Sequence, residues 1–450
     1  PKTPKGICGA DADAIVARNL LRAVAAGSGC YIHIVENTAL NLKALGESGG
    51  PIKSPAALDR LAEHLGIGGA TMHEKAVNVA NAVLSDLYLP RYETMKLTKK
   101  MAYEPRYELW DKLGILPGGA KSEVFDGVVK SSTNLNSDPV DMLMHCLTLG
   151  ISTGLYGLTM TNLLNDVMLG EPVIRPAAVG FKTIDPKYIN IMITGHQHSC
   201  FTDLQEQLVS PAAIKRAKEA GAEGFRLVGC TCVGQDLQLR GEHYQEVFTG
   251  HAGNNFTSEA VLATGAIDMV VSEFNCTLPG IEPIADKLKI KMICIDDVAK
   301  KANAEYARYS YQNRESVTEK VISEAIDSYK ARRGSVAIDI PRNHGNDDTI
   351  TGISEVSLKR FLGDSWKPLV DLIADGTIKG VVGVVGCSSM VSGGHDVLTV
   401  DLVKELIKKD IIVLSAGCSS GGLENCGLMS PSAAALAGPS LRAVCEKLGI

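Results

Sequence analysis

Five turns in this chain carry residues able to hold a metal or a reactive sulfur. They are Gly195-His196, Cys230-Thr231-Cys232, Asn275-Cys276, Gly386-Cys387-Ser388-Ser389 and Gly417-Cys418-Ser419-Ser420. A thiolate is a nucleophile and a soft metal donor, and imidazole is a general base and a common metal ligand. Nucleophilic catalysis needs one cysteine and one base, fewer groups than stand here. A structural zinc site prefers four ligands, commonly in closely spaced cysteine pairs, and this chain contains no Cys-x-x-Cys. His196-x-His198-x-Cys200 offers zinc one strand face as a minor alternative. Widely spaced thiols with one histidine suit a mixed-ligand iron–sulfur centre, or another thiophilic metal, assembled late in folding.

The elements in front of these residues strengthen that reading. Each turn closes a short run rich in β-branched residues: INIMIT (Ile189–Thr194), GFRLVG (Gly224–Gly229), IDMVVSEFN (Ile267–Asn275), GVVGVVG (380–386) and IIVLSAG (411–417). Such runs read as buried parallel strands. With KMICI (Lys291–Ile295) and AIDI (337–340) they alternate with helical segments such as PAAIKRAKEAGAEG and NNFTSEAVLATG, which predicts βαβ units. Residues just past the carboxyl ends of such strands line the crevice where open α/β sheets bind ligands. Five strands thus deliver one imidazole and four or more thiols to carboxyl edges. Edges that face each other across a domain interface let those groups meet. Cys146, Cys294 and Cys445 lie inside apolar patterns and read as packing, because a free cysteine behaves as a small hydrophobe. His73, His145, His243 and His395 have no such setting and read as solvated or satisfied.

Upstream, residues 1 to about 175 read as mostly helical. Asp11 and Asp13 lie early in the helix AIVARNLLRAVAAG, whose faces are nearly all apolar, so burial is expected. Ser54-Pro55 supplies an N-cap and a first-turn proline for SPAALDRLAEHLGIGG, with Gly66 as its stop. SDPVDMLMHCLTLGISTGLYGLTMTNLLNDVML reads as one helix broken at its glycines, and Gly170–Gly180 as a linker by composition. The expected organisation is a helical domain, 1–178, followed by two doubly wound, Rossmann-like parallel-sheet domains, 179–333 and 334–450, the last incomplete. The balance of 45% apolar and 21% charged residues is that of an ordinary globular chain. A net charge of −6 gives no electrostatic footprint for nucleic acid or an anionic membrane. No apolar run is long enough for a transmembrane helix. Twelve cysteines without a secretory signal point to a reducing compartment, hence the cytoplasm, rather than to a disulfide framework.

The motifs resemble those of the catalytic subunit of anaerobic, nickel-containing carbon monoxide dehydrogenases. GICGADADAIVARNLLRAVAAG is similar to that family's signature beside its electron-transfer clusters. GCTCVGQDLQLR, GAIDMVVSEFNCTLPGI, GVVGVVGCSS and SAGCSSGGLENCGLMSP resemble its active-site segments in order, and NLNSDPVDMLMHCLTLGI its helical domain. The resemblance implies a nickel–iron–sulfur cluster. His196 and Cys232 would bind an iron outside the cubane, and Cys276, Cys387 and Cys418 the three irons within it. Cys8 would match the last of four ligands of a [4Fe-4S] relay cluster. It further implies reversible oxidation of CO with water to CO2, two protons and two electrons. A ferredoxin-like electron acceptor, a homodimer and a possible acetyl-CoA synthase subunit are the implied partners.

The resemblance also has departures. The family's remaining relay-cluster cysteines would precede Pro1, and its nickel-binding cysteine and a catalytic lysine would follow Ile450, so a piece of a longer protein is expected. Where the family carries helical histidines at i, i+3 spacing for proton removal, this register reads Tyr31, Ile34 and Asn37, with Cys30 and His33 nearby. Two other readings stay open: a relative of the hybrid-cluster proteins that reduces hydroxylamine or another small molecule, and a non-catalytic cluster-binding sensor.

Overall fold

The structure, a computed structural model, describes residues 4–132, 135–196, 199–240, 246–296, 298–388, 390 and 393–448. The chain forms two compact units, Pro1–Glu171 and Pro172–Ile450. His198 and His243 lie outside the described residues.

The first unit is helical, and its longest element is Ala12–Ser48. Asp11 precedes this helix as its N-cap, its carboxylate accepting from the Ala14 amide at 2.8 Å, and Asp13 lies in the first turn. Gly27 and Gly29 do not end it, because the helices Met72–Leu87, Ala120–Ser132 and Pro139–Ile151 all pack along it. The expected all-round burial is not found. Ala14, Ala17, Leu21 and Ala25 form a buried face, while Val16 is 67% and Leu20 46% exposed. Three helices along one side leave the other uncovered. Ser54 caps Pro55–Leu65 through the Ala57 amide, and Gly66 ends it in the left-handed conformation, as their residue types demand. The glycine-rich stretch expected to break a helix instead widens it. Pro139–Ile151 passes through a π-helical segment, Ser152–Leu158, into Thr159–Leu169 without interruption.

Among its described residues the second unit holds ten strands: β1 Arg175–Val179, β2 Ile189–Thr194, β3 Phe225–Cys230, β4 Phe248–Gly253, β5 Met269–Ser272, β6 Lys291–Cys294, β7 Glu305–Tyr306, β8 Thr349–Thr351, β9 Gly380–Val385 and β10 Ile411–Ala416. Eight make one sheet in the order β7-β6-β5-β2-β3-β4-β1-β8, parallel except for the β1–β8 pair. From β4 to β7 this is the doubly wound order of dinucleotide-type folds, whose switch point lies between β2 and β5. β2 is buried along its whole length, as a strand covered on both faces must be. Apolar clusters lie on either side of the sheet, one built on Phe201, Leu204 and Val321, the other on Val261, Leu262 and Ala285.

Three elements differ from expectation. Gly170–Gly180 is no mere linker, because it contains β1. β1 pairs with β4 only at its carboxyl end, so Pro176, which lacks an N–H, sits where the ladder to β4 has not begun. FTGHAG, with two glycines and a histidine, gives little strand signal, yet it forms β4. A Cβ at Gly250 would come within 1.8 Å of the Ala178 carbonyl oxygen, so that close approach of β1 and β4 requires glycine. AIDI forms no strand, and Thr349–Thr351 takes the sheet edge instead.

β9 and β10 form a separate parallel pair, in register from Gly380 with Ile411 to Val385 with Ala416. Their expected burial fails. Alternate residues of β9 are exposed, Val385 to 66%. No helix among the described residues is long and apolar enough to cross a membrane.

Candidate metal centre

At the switch point, β2 and β5 lie side by side, with Thr194 opposite Ser272. The chain leaves β2 through Gly195, whose φ of 130° and whose 2.5 Å clearance between a built Cβ and Glu273 Cβ exclude other residues. His196 follows. It leaves β5 through Glu273, Phe274 and Asn275 to Cys276, which adopts the left-handed conformation at φ 57°. The Glu273 carboxylate joins the two exits, accepting from the backbone N–H of His196 at 2.9 Å and of Asn275 at 2.8 Å. Asn275 Oδ1 accepts from the Cys276 N–H at 2.9 Å, which sets the turn that presents the thiol. Burial pushes Glu273 up to about 8, against the two amides that favour its charged form.

β3 ends at Cys230, and the next residue, Thr231, also adopts the left-handed conformation, at φ 59°. Its Oγ1 donates to the Gly195 carbonyl at 2.7 Å and accepts from the Gly195 N–H at 2.9 Å. This hydroxyl ties the β3 exit to the β2 exit. It also places Cys232 in the first turn of the helix Thr231–Arg240.

The β9–β10 pair is built alike. Gly386 and Gly417, both at positive φ, turn the chain out of the two strands. Cys387 follows the first and Cys418 opens the helix Cys418–Asn425 after the second. The Ser419 N–H donates to the Gly386 carbonyl at 2.9 Å, fixing one turn against the other.

The thiols from these separate exits meet. Cys276, Cys418 and Cys387 all lie within electrostatic range of Cys232, and Cys387 lies within that of Cys418. The neighbouring Cys276 thiol raises Cys232 well above the ordinary thiol range, with burial adding to it. Cys418 is likewise pushed far up, by Cys232 first and then by burial. Four thiols so close cannot all ionise unless positive charge stands among them. A thiophilic cation supplies that charge, and soft sulfur donors are its preferred ligands. Among the described residues, no three histidine, cysteine or carboxylate side chains are disposed around a single metal ion. Four thiols with one buried imidazole are the donor chemistry that an iron–sulfur group takes.

His196 is joined to this cluster through Glu273 and Thr231. Its ring is buried, and burial pushes it down to about 4, so it is neutral near pH 7, the form that ligates metals. Cys200 is not part of the crevice. It is fully buried in the helix Ser199–Leu208 and packs in the core with Phe201 and Leu204, which removes the zinc alternative's third donor. Cys230 is buried in the opposite cluster with Val228 and Ala252. Cys294 packs with Met292 and Val270, as its apolar setting predicts.

Cys8 lies in the first unit, exposed, in the turn before the helix Ala12–Ser48. The Ala10 backbone N–H, helped by the Arg18 guanidinium, lowers it below the ordinary thiol value, as suits a thiolate ligand. His33 and Asn37 lie on that helix with His33 Nε2 3.1 Å from Asn37 Nδ2, so the register that departs from a histidine relay is a continuous helical face. Glu273 and Thr231 are not among the residues expected to form the site. The one hint at Thr231 is its place between two cysteines.

Comparison with known proteins agrees across the whole chain. Residues 2–445 match the Prismane/CO dehydrogenase family. A carbon monoxide dehydrogenase of Methanocaldococcus jannaschii is 48% identical over 454 residues, covering 100% of this chain and 72% of that protein. One from Methanopyrus kandleri is 44% identical, covering 100% and 70%. Among solved structures, an as-isolated, nickel-free carbon monoxide dehydrogenase from Thermococcus sp. AM4 superposes with a TM-score of 0.92 at 31% identity, covering 100% of this chain and 70% of that one. Carbon monoxide dehydrogenase IV of Carboxydothermus hydrogenoformans gives 0.91 at 30%, covering 99% and 70%. With its sheet order, its converging thiols and these full-length likenesses, the chain belongs to the Prismane/CO dehydrogenase family.

Proposed function

We propose that this chain is the catalytic part of an anaerobic carbon monoxide dehydrogenase that interconverts CO and water with CO2, two protons and two electrons. The observation that supports the reading is that Cys276, Cys387 and Cys418, each just past the end of its own strand, lie within electrostatic range of Cys232, just past the end of a fourth. These four thiols and His196 would hold a nickel–iron–sulfur cluster, and Cys8 would hold a [4Fe-4S] relay cluster. When bound, such a cluster supplies a nickel for the carbon of CO and a Lewis-acidic iron for water.

The residues of this chain do the positioning. Glu273 holds the His196 and Cys276 turns at one separation, and Thr231 holds the Cys232 turn against them. The buried, neutral His196 presents a nitrogen lone pair without first losing a proton. A ferredoxin-like acceptor for the electrons, a homodimeric assembly, a cytoplasmic location and association with an acetyl-CoA synthase subunit belong to the same proposal.

The test is anaerobic purification of the full-length protein, with nickel, iron and sulfide counted per chain and CO-dependent reduction of a viologen dye measured. Nickel with CO-dependent reduction is expected. Iron and sulfide without nickel, together with hydroxylamine reduction, would replace this reading with the hybrid-cluster one. A cluster with no turnover would leave a sensor.

A further inference from the structure

Asp396 opens the helix Val397–Lys408 but does not cap it. Its backbone is left-handed, at φ 64° and ψ −7°, and its carboxylate makes no bond to the first-turn amides. Aspartate is a favoured N-cap because it makes that bond, and left-handed backbone is uncommon outside glycine. A residue that breaks both local rules is held by its surroundings.

Those surroundings are three elements of the thiol site. Oδ1 accepts from the hydroxyl of Ser388, the residue after Cys387. Oδ2 accepts from Asn254 Nδ2 at 3.0 Å, in the loop after β4. The next residue of that loop, Asn255, lies close enough to Cys418 for its backbone N–H to favour the thiolate. On the third side, a Cβ at Gly422 would come within 2.6 Å of Asp396 Cγ, so the backbone of the Cys418 helix packs directly on the carboxylate. His395 Nδ1, 2.7 Å from Oδ2, supplies a further donor, and its ring meets Phe256 edge-on at 5.2 Å.

Electrostatics alone disfavours this choice. A carboxylate beside thiols that must ionise on binding a metal opposes their ionisation. Its advantage is geometric, because two oxygens with about four lone-pair sites accept donors from several directions at once. We propose that Asp396 is a positioning residue that sets the separation of Cys387 from Cys418 by holding the β9 exit, the β4 exit and the Cys418 helix against one another. The inference rests on reading the thiols as a metal cradle.

The experiment compares wild type with Asp396→Ala, Asp396→Asn and Gly422→Ala in the full-length protein. Ile189→Val, a core change at the amino end of β2, serves as a control for simple destabilisation. One readout is iron and sulfide per chain, with the electron paramagnetic resonance spectrum, after anaerobic purification. The other is cadmium titrated into cluster-free protein, followed by thiolate-to-cadmium absorbance, the cradle's share being the signal lost in Cys232→Ser.

Removing a group that orients metal ligands typically costs about 10–100-fold in metal affinity. Asp396→Ala is expected to lose at least about tenfold in cadmium affinity, and most of the active-site cluster with it. Gly422→Ala, which displaces the carboxylate, shifts the same way, and Asp396→Asn keeps part of the affinity. Ile189→Val lowers only the unfolding temperature. If Asp396→Ala does not fold, Asp396→Asn and Gly422→Ala decide. Wild-type cadmium affinity in the folded variants overturns the proposal, and so does an equal loss in Ile189→Val. Failure of the proposed function looks different: wild type then carries no nickel–iron–sulfur cluster, while cadmium still separates the Asp396 variants from the control.

Discussion

Cys232 has two thiol neighbours, Cys276 and Cys418. The Cys276 thiol and burial hold Cys232 protonated, and Cys232 and burial do the same for Cys418, so cluster assembly must release protons and is favoured by higher pH. Cys276→Ala and Cys387→Ala are each expected to abolish the active-site cluster, read as iron and sulfide per chain, with the far-ultraviolet helical signal unchanged. Cys294→Ala should keep full metal content. Its thiol packs beside Met292 and Val270, lies 3.1 Å from Ser272 Oγ and accepts from the Lys301 N–H at 3.4 Å, so its loss should cost about 1–3 kcal/mol in denaturant unfolding. At this scale the ligand-type residues were legible, because cysteine and histidine announce their chemistry. The residues that aim them were not. Glu273, Thr231, Asn254 and Asp396 are common polar types, and the bonds by which they join separate elements include ones that cross 36, 77 and 142 positions of sequence. No local pattern records such partners.

At the scale of elements, legibility followed the strength of the local signal. Ser54, Pro55 and Gly66 define a helix that the structure reproduces residue for residue. Ser54→Ala removes the cap, and also a hydroxyl that bonds Glu171 at 3.1 Å, so a loss of about 1–2 kcal/mol is expected in urea unfolding. β4 shows the opposite case. Its glycines suppress strand propensity but are demanded by the neighbouring strand, so the feature that hides β4 in the sequence is the one that lets it pair with β1. Gly250→Ala must push the strands apart, since its Cβ has no room beside the Ala178 carbonyl oxygen. A loss of about 1–3 kcal/mol or more is expected, read by denaturant midpoint, with the β2 and β5 side of the sheet less affected. Glycine at Gly27 and Gly29 misleads in the other direction, because packing along three neighbouring helices outweighs its poor helix propensity.

Across the whole molecule, the amino end of the large sheet is closed by a buried ion pair. Arg332 reaches Asp268 at 2.5 Å and also donates to the carbonyls of Gly265 and Leu288. Burial pushes Asp268 up to about 6, with the Asn190 amide and Arg332 pulling it down. An unfolded aspartate titrates at about 4. Between about pH 4 and pH 6 the native state therefore holds a proton that the unfolded chain releases. Stability contributed by this group is present below about 4, falls as pH rises, and levels off above about 6. Urea unfolding of cluster-free protein across that range should show the slope, and Asp268→Asn should remove it. Taken alone, the amino-acid sequence determined the classes of element, the parallel α/β character of the second unit and the cysteines and histidine placed past strand ends. Periodicity and side-chain chemistry are properties of neighbouring residues, so they survive in one dimension. Strand order, the burial of each face and the meeting of thiols from β3, β5, β9 and β10 were decided only in the tertiary structure. They depend on which distant segments cover one another, and loop closure over hundreds of residues leaves no trace in local composition.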